Sequence, residues 1–292
     1  MKKFSAKKGL LIFYGFDAVL ILAVCFLLIP FNRKNSPDSI FSSFIDSDEE
    51  ILEIRITSRN DNIRISMENI DGNWIGTDSN SNDILYWPCN VQYVEKILKL
   101  ANEKKQWNKL SENVTSWKNF SVDNSHAVEF SFHSKSKTIG SIFFGNFNEL
   151  ENKISFRTSK NSTVWEVESD VSNFAYETSP SFWADPFIEP LCVLPRKKGD
   201  KDSGLRRGEL VYLKPGENVK PFNVVKRFFE NGSIVTYSFY EKDKDVIVIP
   251  TFYADEQFDL SYREYLKKIS YRYSISRWTY DRFVKGDVDD EL

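Results

Sequence analysis

Carboxylates beside a tryptophan are the residues of this chain that could most directly do chemistry. Asp185 and Glu189 lie within six positions of Trp183. Two carboxyl groups can share the acid and base roles of glycoside hydrolysis, and an aromatic ring can stack on a sugar. Trp107 and Trp117 could stack in the same way, although tryptophan usually packs in the core. Helix capping and surface solvation explain the carboxylates more simply, because carboxylates alone have no diagnostic spacing.

The chain has two histidines, His126 and His133, which flank a predicted strand. Seven positions separate them, and an odd spacing places two residues on opposite faces of a strand. Two ligands are also too few for a typical protein metal site. We therefore predict no metal site and no bound cofactor.

Cysteine chemistry is limited to one pair outside the apolar N-terminal segment. Cys25 lies within that segment, while Cys89 and Cys192 lie in the polar remainder. Outside the cytoplasm these two could form a disulfide. The alternative, two buried free thiols, is favoured because spacing alone does not show that the residues are close.

Several catalytic motifs are missing from the sequence. It has no Gly-x-x-x-x-Gly-Lys-Ser/Thr loop to hold phosphates, no Gly-x-Ser-x-Gly elbow and no His-Glu-x-x-His. The chain is therefore not the ATPase of a transporter. Enzyme activity stays an open question, and the missing motifs favour a protein without catalytic activity.

Residues 9–31 form a long apolar segment that decides where the rest of the chain lies. The segment contains one charged residue, Asp17, in 23 positions. A helix of this length, at ~1.5 Å per residue, would cross a hydrocarbon core of ~30 Å. A cleaved signal peptide would have a shorter apolar run ending in a small-x-small site, and Leu22–Cys25 is a poor lipoprotein box. The segment therefore predicts an uncleaved single-pass anchor in the lipid bilayer.

Basic residues on both flanks predict the direction of this anchor. Four lysines precede it, whereas Arg33 and Lys34 follow it. The positive-inside rule then places the N-terminus in the cytoplasm and the body outside, in the cell (inner) membrane. Asp17 would lie about 12 Å into the helix, where a carboxylate is costly. It either reaches toward the basic edge or contacts a partner membrane protein.

The composition of the body excludes nucleic acid as a partner. Removing the six Lys/Arg and the one Asp of residues 1–34 from the totals of 39 and 42 leaves 33 and 41, a formal charge of −8. Binding to nucleic acid requires a basic surface instead. With 24 Phe, 13 Tyr and 7 Trp, the chain can build a substantial core.

The body is predicted to have an α+β fold, mainly of antiparallel strands with a few packing helices. Apolar and charged residues alternate in 52–56 and in 63–67, as in a hairpin. Residues 91–101 have helical spacing behind a cap at Asn90, and Ser276 is predicted to cap a last helix. Further strands or short helices are predicted at 128–132, 139–144, 154–156, 164–167, 170–188, 210–213, 224–229, 233–240, 246–252 and 269–275.

The predicted organisation is a tethered body with two lobes. Residues 130–139 resemble residues 237–246 at a constant offset of 107, which favours a degenerate duplication over coincidence between similar hairpins. The predicted order is a cytoplasmic basic tail (1–8), the transmembrane helix (9–31), a linker (32–38), a first α+β lobe (39–194), a charged loop (195–208), a second, strand-rich lobe (209–286) and an acidic tail (287–292).

Short structural motifs, mostly within residues 40–190, give the chain a family resemblance. They are Gly72-Asn73-Trp74, the helix from Pro88 to Leu100, Gly145 at a strand end, Val164-Trp165-Glu166-Val167, Ser181-Phe182-Trp183 and Ile275-Ser276-Arg277-Trp278-Thr279. In these the chain resembles the bacterial domain-of-unknown-function 4340 family. Members are similar or fused to accessory subunits of gliding-type ABC transporters. The resemblance implies an envelope-facing accessory role and transfers no functional residues.

These observations predict a membrane-anchored extracytoplasmic accessory or scaffold protein of a membrane complex without catalytic activity of its own. The resemblance implies an ABC-type transporter as that complex. Its partners would be the lipid bilayer and a membrane or envelope protein, which Asp17 could contact. The alternative is a protein that binds or hydrolyses envelope glycans. A small-molecule ligand is not indicated by the sequence.

Overall fold

The computed structural model describes residues 38–45, 47–79, 83–168, 172–193, 204–212, 219–229 and 231–285. The predicted anchor, with Asp17 and Cys25, and the predicted acidic tail lie outside these residues. Within the described ranges, no helix combines the length and apolar character that crossing a membrane requires. Chain contacts divide the protein into Met1–Ile40 and Phe41–Leu292, and the second unit contains the features discussed below.

The larger sheet is antiparallel and contains ten strands among the described residues. Its spatial order is β1-β6-β10-β9-β8-β7-β2-β3-β4-β5, so the first hairpin of the chain pairs with β7 near the middle. The strands are β1 (Ser39–Ser42), β2 (Glu53–Ser58), β3 (Ile63–Ile70), β4 (Asn73–Asp78), β5 (Tyr86–Pro88), β6 (Lys105–Ser111), β7 (Val128–His133), β8 (Thr138–Asn148), β9 (Lys153–Thr158) and β10 (Val164–Glu168).

The smaller sheet has four antiparallel strands, in their chain order. They are β11 (Asn223–Phe228), β12 (Ile234–Lys242), β13 (Asp245–Tyr253) and β14 (Tyr273–Ser276). The helices of the described residues are α1 (Val91–Asn102), α2 (Ser172–Ala175), α3 (Pro180–Trp183), α4 (Leu260–Lys268) and α5 (Arg277–Lys285), with a 3-10 turn at Val114–Ser116.

Phenylalanine and tryptophan rings form the core of the larger sheet. Phe44 lies 4.8 Å from the ring of Phe156, and Trp107 lies at the same distance from Phe156. Phe130 packs on Phe144 with ring centroids 5.6 Å apart. The side chains of these residues are removed from water and interlock edge to face, an arrangement that aromatic rings prefer.

Helix α5 and the inner face of the smaller sheet form a second core. Phe283 of α5 packs against Tyr237 and Phe239 of β12, at 4.9 and 5.9 Å. Two backbone hydrogen bonds between Tyr86 and Ser270, of 2.9 and 2.8 Å, connect the end of α4 to β5 of the larger sheet. The two cores thus belong to one body.

The α+β class, with mainly antiparallel strands, is confirmed. The helix predicted at 91–101 forms as α1, although the side chain of Asn90 makes no capping hydrogen bond. The predicted cap of the last helix is present, since the Thr279 N–H donates to Ser276 Oγ at 3.1 Å. The segment 210–213 was predicted as a strand, but in the structure Leu210 makes only an isolated bridge to Tyr273.

The internal repeat falls on two hairpins, β7–β8 and β12–β13. Phe132 pairs with Gly140 in the first hairpin, and Lys242 pairs with Asp245 across a two-residue turn in the second. At the offset of 107, Phe132 corresponds to Phe239 and Gly140 to Ile247, but Phe239 pairs with Val248. The two hairpins therefore differ in register by one residue, and such a shift exchanges the two faces of a strand. A duplication of the two lobes stays a prediction, as do the predicted lobe boundaries.

Candidate functional site

The side of the smaller sheet that faces away from α5 is an unusually apolar exposed surface, which we call the outer face. In β12 the residues Val235, Tyr237 and Phe239 are fully buried, so their neighbours in sequence point to the opposite side. The outer face consists of Val224, Lys226, Phe228, Ile234, Thr236, Ser238, Tyr240, Ile249, Thr251 and Tyr253. Among these described residues, Lys226 has the only formal charge.

The most exposed part of the outer face is a row that crosses three strands. Phe228 pairs with Ile234, which pairs with Tyr253. Phe228 is 73% exposed and Tyr253 57%. Val224, which lies on the same side of β11 beyond Lys226, is 52% exposed. A contiguous apolar patch of this kind on a water-facing surface commonly marks an interaction site.

The outer face ends at β11, which is the last strand on its side of the sheet. The Phe229 N–H bonds to the Ser233 carbonyl at 2.9 Å, so alternation along the ladder turns the backbone groups of Val224, Lys226 and Phe228 away from β12. One of these backbone groups is already bonded, since the Val224 N–H donates to the side-chain oxygen of Asn223 at 2.8 Å. Among the described residues, no other backbone reaches this edge of β11.

The opposite edge of the sheet is covered by the chain itself. The Gly208 N–H donates to the Ser274 carbonyl at 2.7 Å, and the Ser274 N–H donates to Glu209 at 2.9 Å. The Val211 N–H adds a bond of 2.9 Å to Arg272. The contrast leaves β11 as the edge at which an added strand could pair.

Cys89 and Cys192, for which the sequence favoured two free thiols over a disulfide, are both free in the structure. The Cys89 N–H donates to the Trp74 carbonyl at 3.0 Å, and the Tyr265 hydroxyl lies 3.5 Å from that carbonyl. Tyr265 also forms a hydrogen bond with the thiol of Cys192. Burial raises the pKa of both thiols, so each stays protonated and unreactive near neutral pH. The disulfide stays the less favoured alternative.

Of the two carboxylates considered for glycan chemistry, Asp185 lies in the interior and Glu189 is half-buried. Asp185 is 2% exposed, and its carboxylate accepts the N–H groups of Phe187 and Leu191 at 3.0 and 2.9 Å. It therefore fixes a loop and has no access to a substrate. Burial raises the pKa of Glu189, whose carboxylate lies 3.6 Å from Arg227.

The tryptophans proposed to stack on sugars are also occupied. Trp183 and Trp107 are buried, and the Trp183 indole donates to the Glu177 carbonyl at 2.8 Å. The ring of Trp117 is covered by the guanidinium of Arg157 at 4.2 Å. Asp185, Trp107 and Trp183 are therefore packed away from any glycan, while Glu189 and Trp117 are half-buried.

The two histidines lie in different environments. His126 is exposed, and its Nδ1 lies 2.7 and 3.0 Å from the two carboxylate oxygens of Asp123. His133 is half-buried at the end of β7 and contacts Ser131 Oγ through Nε2 at 3.0 Å. In the part of the chain that the structure describes, no three His, Cys, Asp or Glu side chains are grouped to hold a metal.

Comparison of the chain with protein-family models, with curated proteins and with solved structures gives no match. The functional interpretation therefore depends on the sequence and geometry of this chain. Sequence reasoning missed both the outer face and the Asp123–His126 pair. Alternation in 234–240, where Thr236 and Ser238 lie between apolar residues, was a signal for the first, and a carboxylate three positions before a histidine was a signal for the second.

Proposed function

We propose that this chain is a membrane-anchored, extracytoplasmic accessory or scaffold protein of a membrane complex, without catalytic activity of its own. The anchor at 9–31 would hold the body at the membrane, and the outer face would bind a protein partner. The observation that carries this proposal is the row of exposed apolar residues beside the open edge of β11. An ABC-type transporter is the complex that the family resemblance suggests.

The open edge favours a partner that adds an extended strand. Backbone hydrogen bonds to Lys226 and Phe228 would supply affinity, and alternate side chains of the added strand would lie on the outer face. Lys226 is the charged residue of the outer face on β11, whereas Lys242 pairs with Asp245 farther along the same side of the sheet. A carboxylate among apolar residues is therefore the complementary side chain for the open edge. The expected partner segment therefore alternates apolar residues with at least one Asp or Glu.

In vivo photo-cross-linking tests the surface directly. A photoreactive amino acid at Val224 should cross-link to a membrane-embedded protein. The same amino acid at Val114 is the matched control, because Val114 is 54% exposed and lies far along the chain on the 3-10 turn. Equal cross-linking at both positions, or none at Val224, would contradict the proposed surface.

Proline at position 226 tests strand addition. The Lys226 N–H points to the open edge, so Lys226→Pro removes a donor from the partner while leaving the pairing of β11 with β12 intact. We expect loss of the Val224 cross-link. Lys226→Gln is the control for the lost charge, and it should retain most of the cross-linking.

The anchor and its direction need separate tests. Protease added to intact spheroplasts should digest the body. If the body is digested only after lysis, it lies in the cytoplasm and the predicted direction of the anchor is wrong. If Asp17 contacts the partner, Asp17→Leu should reduce recovery of that partner in mild detergent while membrane insertion is unchanged.

Membership of the domain-of-unknown-function 4340 family and descent of the two sheets from one duplicated lobe are part of this proposal. The sequence motifs support the first, and the repeated hairpins β7–β8 and β12–β13 support the second. The one-residue difference in their registers requires a later slip in one hairpin.

A further inference from the structure

A pocket of about 620 Å³ lies at one end of the larger sheet, away from the outer face. The β2–β3 turn with Asp61, the loop from Ser121 to His126, the middle of β8, and Tyr176 behind α2 surround it. Asp61, His126 and Tyr176 are exposed, so the pocket is open to solvent. Neither the proposed function nor the carboxylates considered for glycan chemistry involve these residues.

The fold fixes the floor of this pocket. Strand β8 has an irregular register against β9 between Phe144 and Phe147, and Gly145 lies within that bulge. A side chain at position 145 would collide with the carbonyl of Phe120, so the close approach requires glycine. The Asn146 N–H and the Ser155 hydroxyl bond to the same carbonyl at 2.9 and 3.0 Å.

The loop that forms one wall is also held in a defined conformation. Ser121 has a φ of 56°, and the Val122 and Ser121 N–H groups bond back to Trp117 and Lys118 at 3.0 and 3.3 Å. These are the two hydrogen bonds of a Schellman motif. Farther along the loop, Arg157 Nε donates to the Val122 carbonyl at 2.7 Å. The wall is thus organised before any ligand arrives, which lowers the entropic cost of binding.

The polar groups of the pocket both donate and accept hydrogen bonds. Asp123 holds His126 at Nδ1, which leaves Nε2 as the ring nitrogen for a ligand. Hydrogen bonds from the Ser125 N–H and from His126 outweigh partial burial and lower the pKa of Asp123, which keeps the carboxylate charged. Asp61 and Glu149 contribute carboxylate acceptors, and Ser121 contributes a hydroxyl.

The chemistry of the lining indicates the class of ligand. Two carboxylates line the pocket, and no lysine or arginine is among its described lining residues, so anions are disfavoured. The rings of Phe147 and Tyr176 offer apolar surface beside these polar groups. Sugar hydroxyls donate and accept at once and lie next to apolar C–H faces, whereas an ammonium group only donates.

We propose that this pocket binds the end of a neutral or amine-bearing saccharide chain. The proposal is for binding only and includes no hydrolysis of the saccharide. The pocket shares no lining residue with the partner surface on β11. A body held outside the membrane would meet such saccharides in the envelope.

Histidine NMR gives a site-specific test, because the full chain has only two histidines. The 15N-histidine-labelled chain in a zwitterionic detergent, which contains no sugar, is titrated with a tetramer of N-acetylglucosamine and with one of glucosamine. We expect at least one tetramer to shift the His126 ring signals. His133 at the far end of β7 is the internal control, and its signals should not move.

A matched pair of variants then tests the role of the pocket. Glu149→Gln should weaken saccharide binding about tenfold, because the neutral amide keeps only one acceptor oxygen and a charge-assisted hydrogen bond is lost. Glu151→Gln, two residues away and outside the lining, should bind as the unmodified chain does. Circular dichroism and the His133 signals verify the fold of both variants.

Three results would overturn the proposal. The first is that neither tetramer shifts the His126 signals at millimolar concentration. The second is that a galacturonic acid tetramer binds as tightly as the better of the two. The third is that trilysine binds more tightly than both, which would indicate a site for basic peptides. Cross-linking at Val224 is unaffected by any of them, so failure here is distinct from failure of the proposed scaffold function.

Discussion

The two sheets of this protein bury aromatic residues in different ways. In the larger sheet, the rings at the centre are mainly phenylalanines that have no polar atom to satisfy, such as Phe44, Phe130 and Phe156. In the smaller sheet and its neighbours, tyrosines take their place. The first core depends mainly on ring shape and packing, although it also buries the Nε1 atoms of Trp87, Trp107 and Trp165 without a hydrogen-bond partner among the described residues. The second depends on where each tyrosine hydroxyl finds a partner.

The tyrosines of the second core surround the segment 188–192. Tyr273 donates to the Ile188 carbonyl at 3.3 Å, and Tyr262 donates to the Cys192 carbonyl at 2.9 Å. The hydroxyls of Tyr237 and Tyr271 are buried among the described residues without a hydrogen-bond partner. The two bonded hydroxyls hold the segment 188–192 in place. The two unpartnered hydroxyls lower the free energy of unfolding, because burying a hydroxyl without a partner costs free energy.

The largest expected effect is on the first core. Phe156→Ala removes a ring that packs on both Phe44 and Trp107, and it should lower the free energy of unfolding by about 3–5 kcal/mol. Urea unfolding of the purified chain measures this change. Phe41→Ala is the control, because Phe41 is 71% exposed and should change stability by no more than about 0.5 kcal/mol. Similar losses for both variants would show that the core is not where the structure places it.

In the second core, removal of a bonded hydroxyl should have a smaller effect. Tyr262→Phe loses the bond to the Cys192 carbonyl and the contact with Ser233 Oγ at 3.0 Å. We expect destabilisation of about 1–2 kcal/mol, because the carbonyl of the half-buried Cys192 and the hydroxyl of the buried Ser233 each lose a partner. The measurement is again urea unfolding, and an unchanged midpoint would indicate that water replaces the phenol.

Removal of an unpartnered hydroxyl should have the opposite sign. Tyr237→Phe keeps the ring that packs on Phe283 and removes only the buried oxygen. Stability should be unchanged or should rise by up to about 1 kcal/mol. Tyr262→Phe serves as the matched control, since both variants lose one hydroxyl oxygen from the same core. A loss of stability in Tyr237→Phe would show that its hydroxyl has a partner, such as a buried water.

Local patterns in the sequence predicted much of the fold, and they failed where tertiary contacts decide the structure. The hairpin β2–β3, helix α1 and the Ser276 cap follow from alternation, helical spacing and capping. Strand β6 has no such alternation in Lys105–Ser111, and it forms because β10 pairs with it. Helix α4 was missed although Asp259 precedes it, since its apolar residues are few.

The candidate sites were harder to predict than the fold, for a related reason. Asp185 and Trp183 were chosen by residue type, and only burial shows that they are structural. The outer face and the saccharide pocket combine residues that are distant in sequence, such as Phe228 with Tyr253 and Asp61 with His126. Sequence separation hides such groupings until strand register and loop conformation are known.

The smallest expected effect depends on pH and compares Glu189, a half-buried carboxyl, with its neutral analogue glutamine. Burial raises the pKa of Glu189 although Arg227 lies 3.6 Å away, so the folded state favours the protonated form. A carboxyl with a raised folded-state pKa stabilises the fold at pH values below its unfolded pKa, and this contribution is lost as pH rises through the folded pKa. Glu189→Gln mimics the protonated form at every pH.

The variant Glu189→Gln should therefore have a higher Tm than the parent chain at pH 7 and nearly the same Tm below pH ~4. Thermal melts across this range measure the difference, with the exposed Glu151→Gln as control. A Tm that is lower for Glu189→Gln at pH 7 would show that attraction to Arg227 outweighs desolvation, and that the second core is held together by this ion pair as well as by its tyrosines.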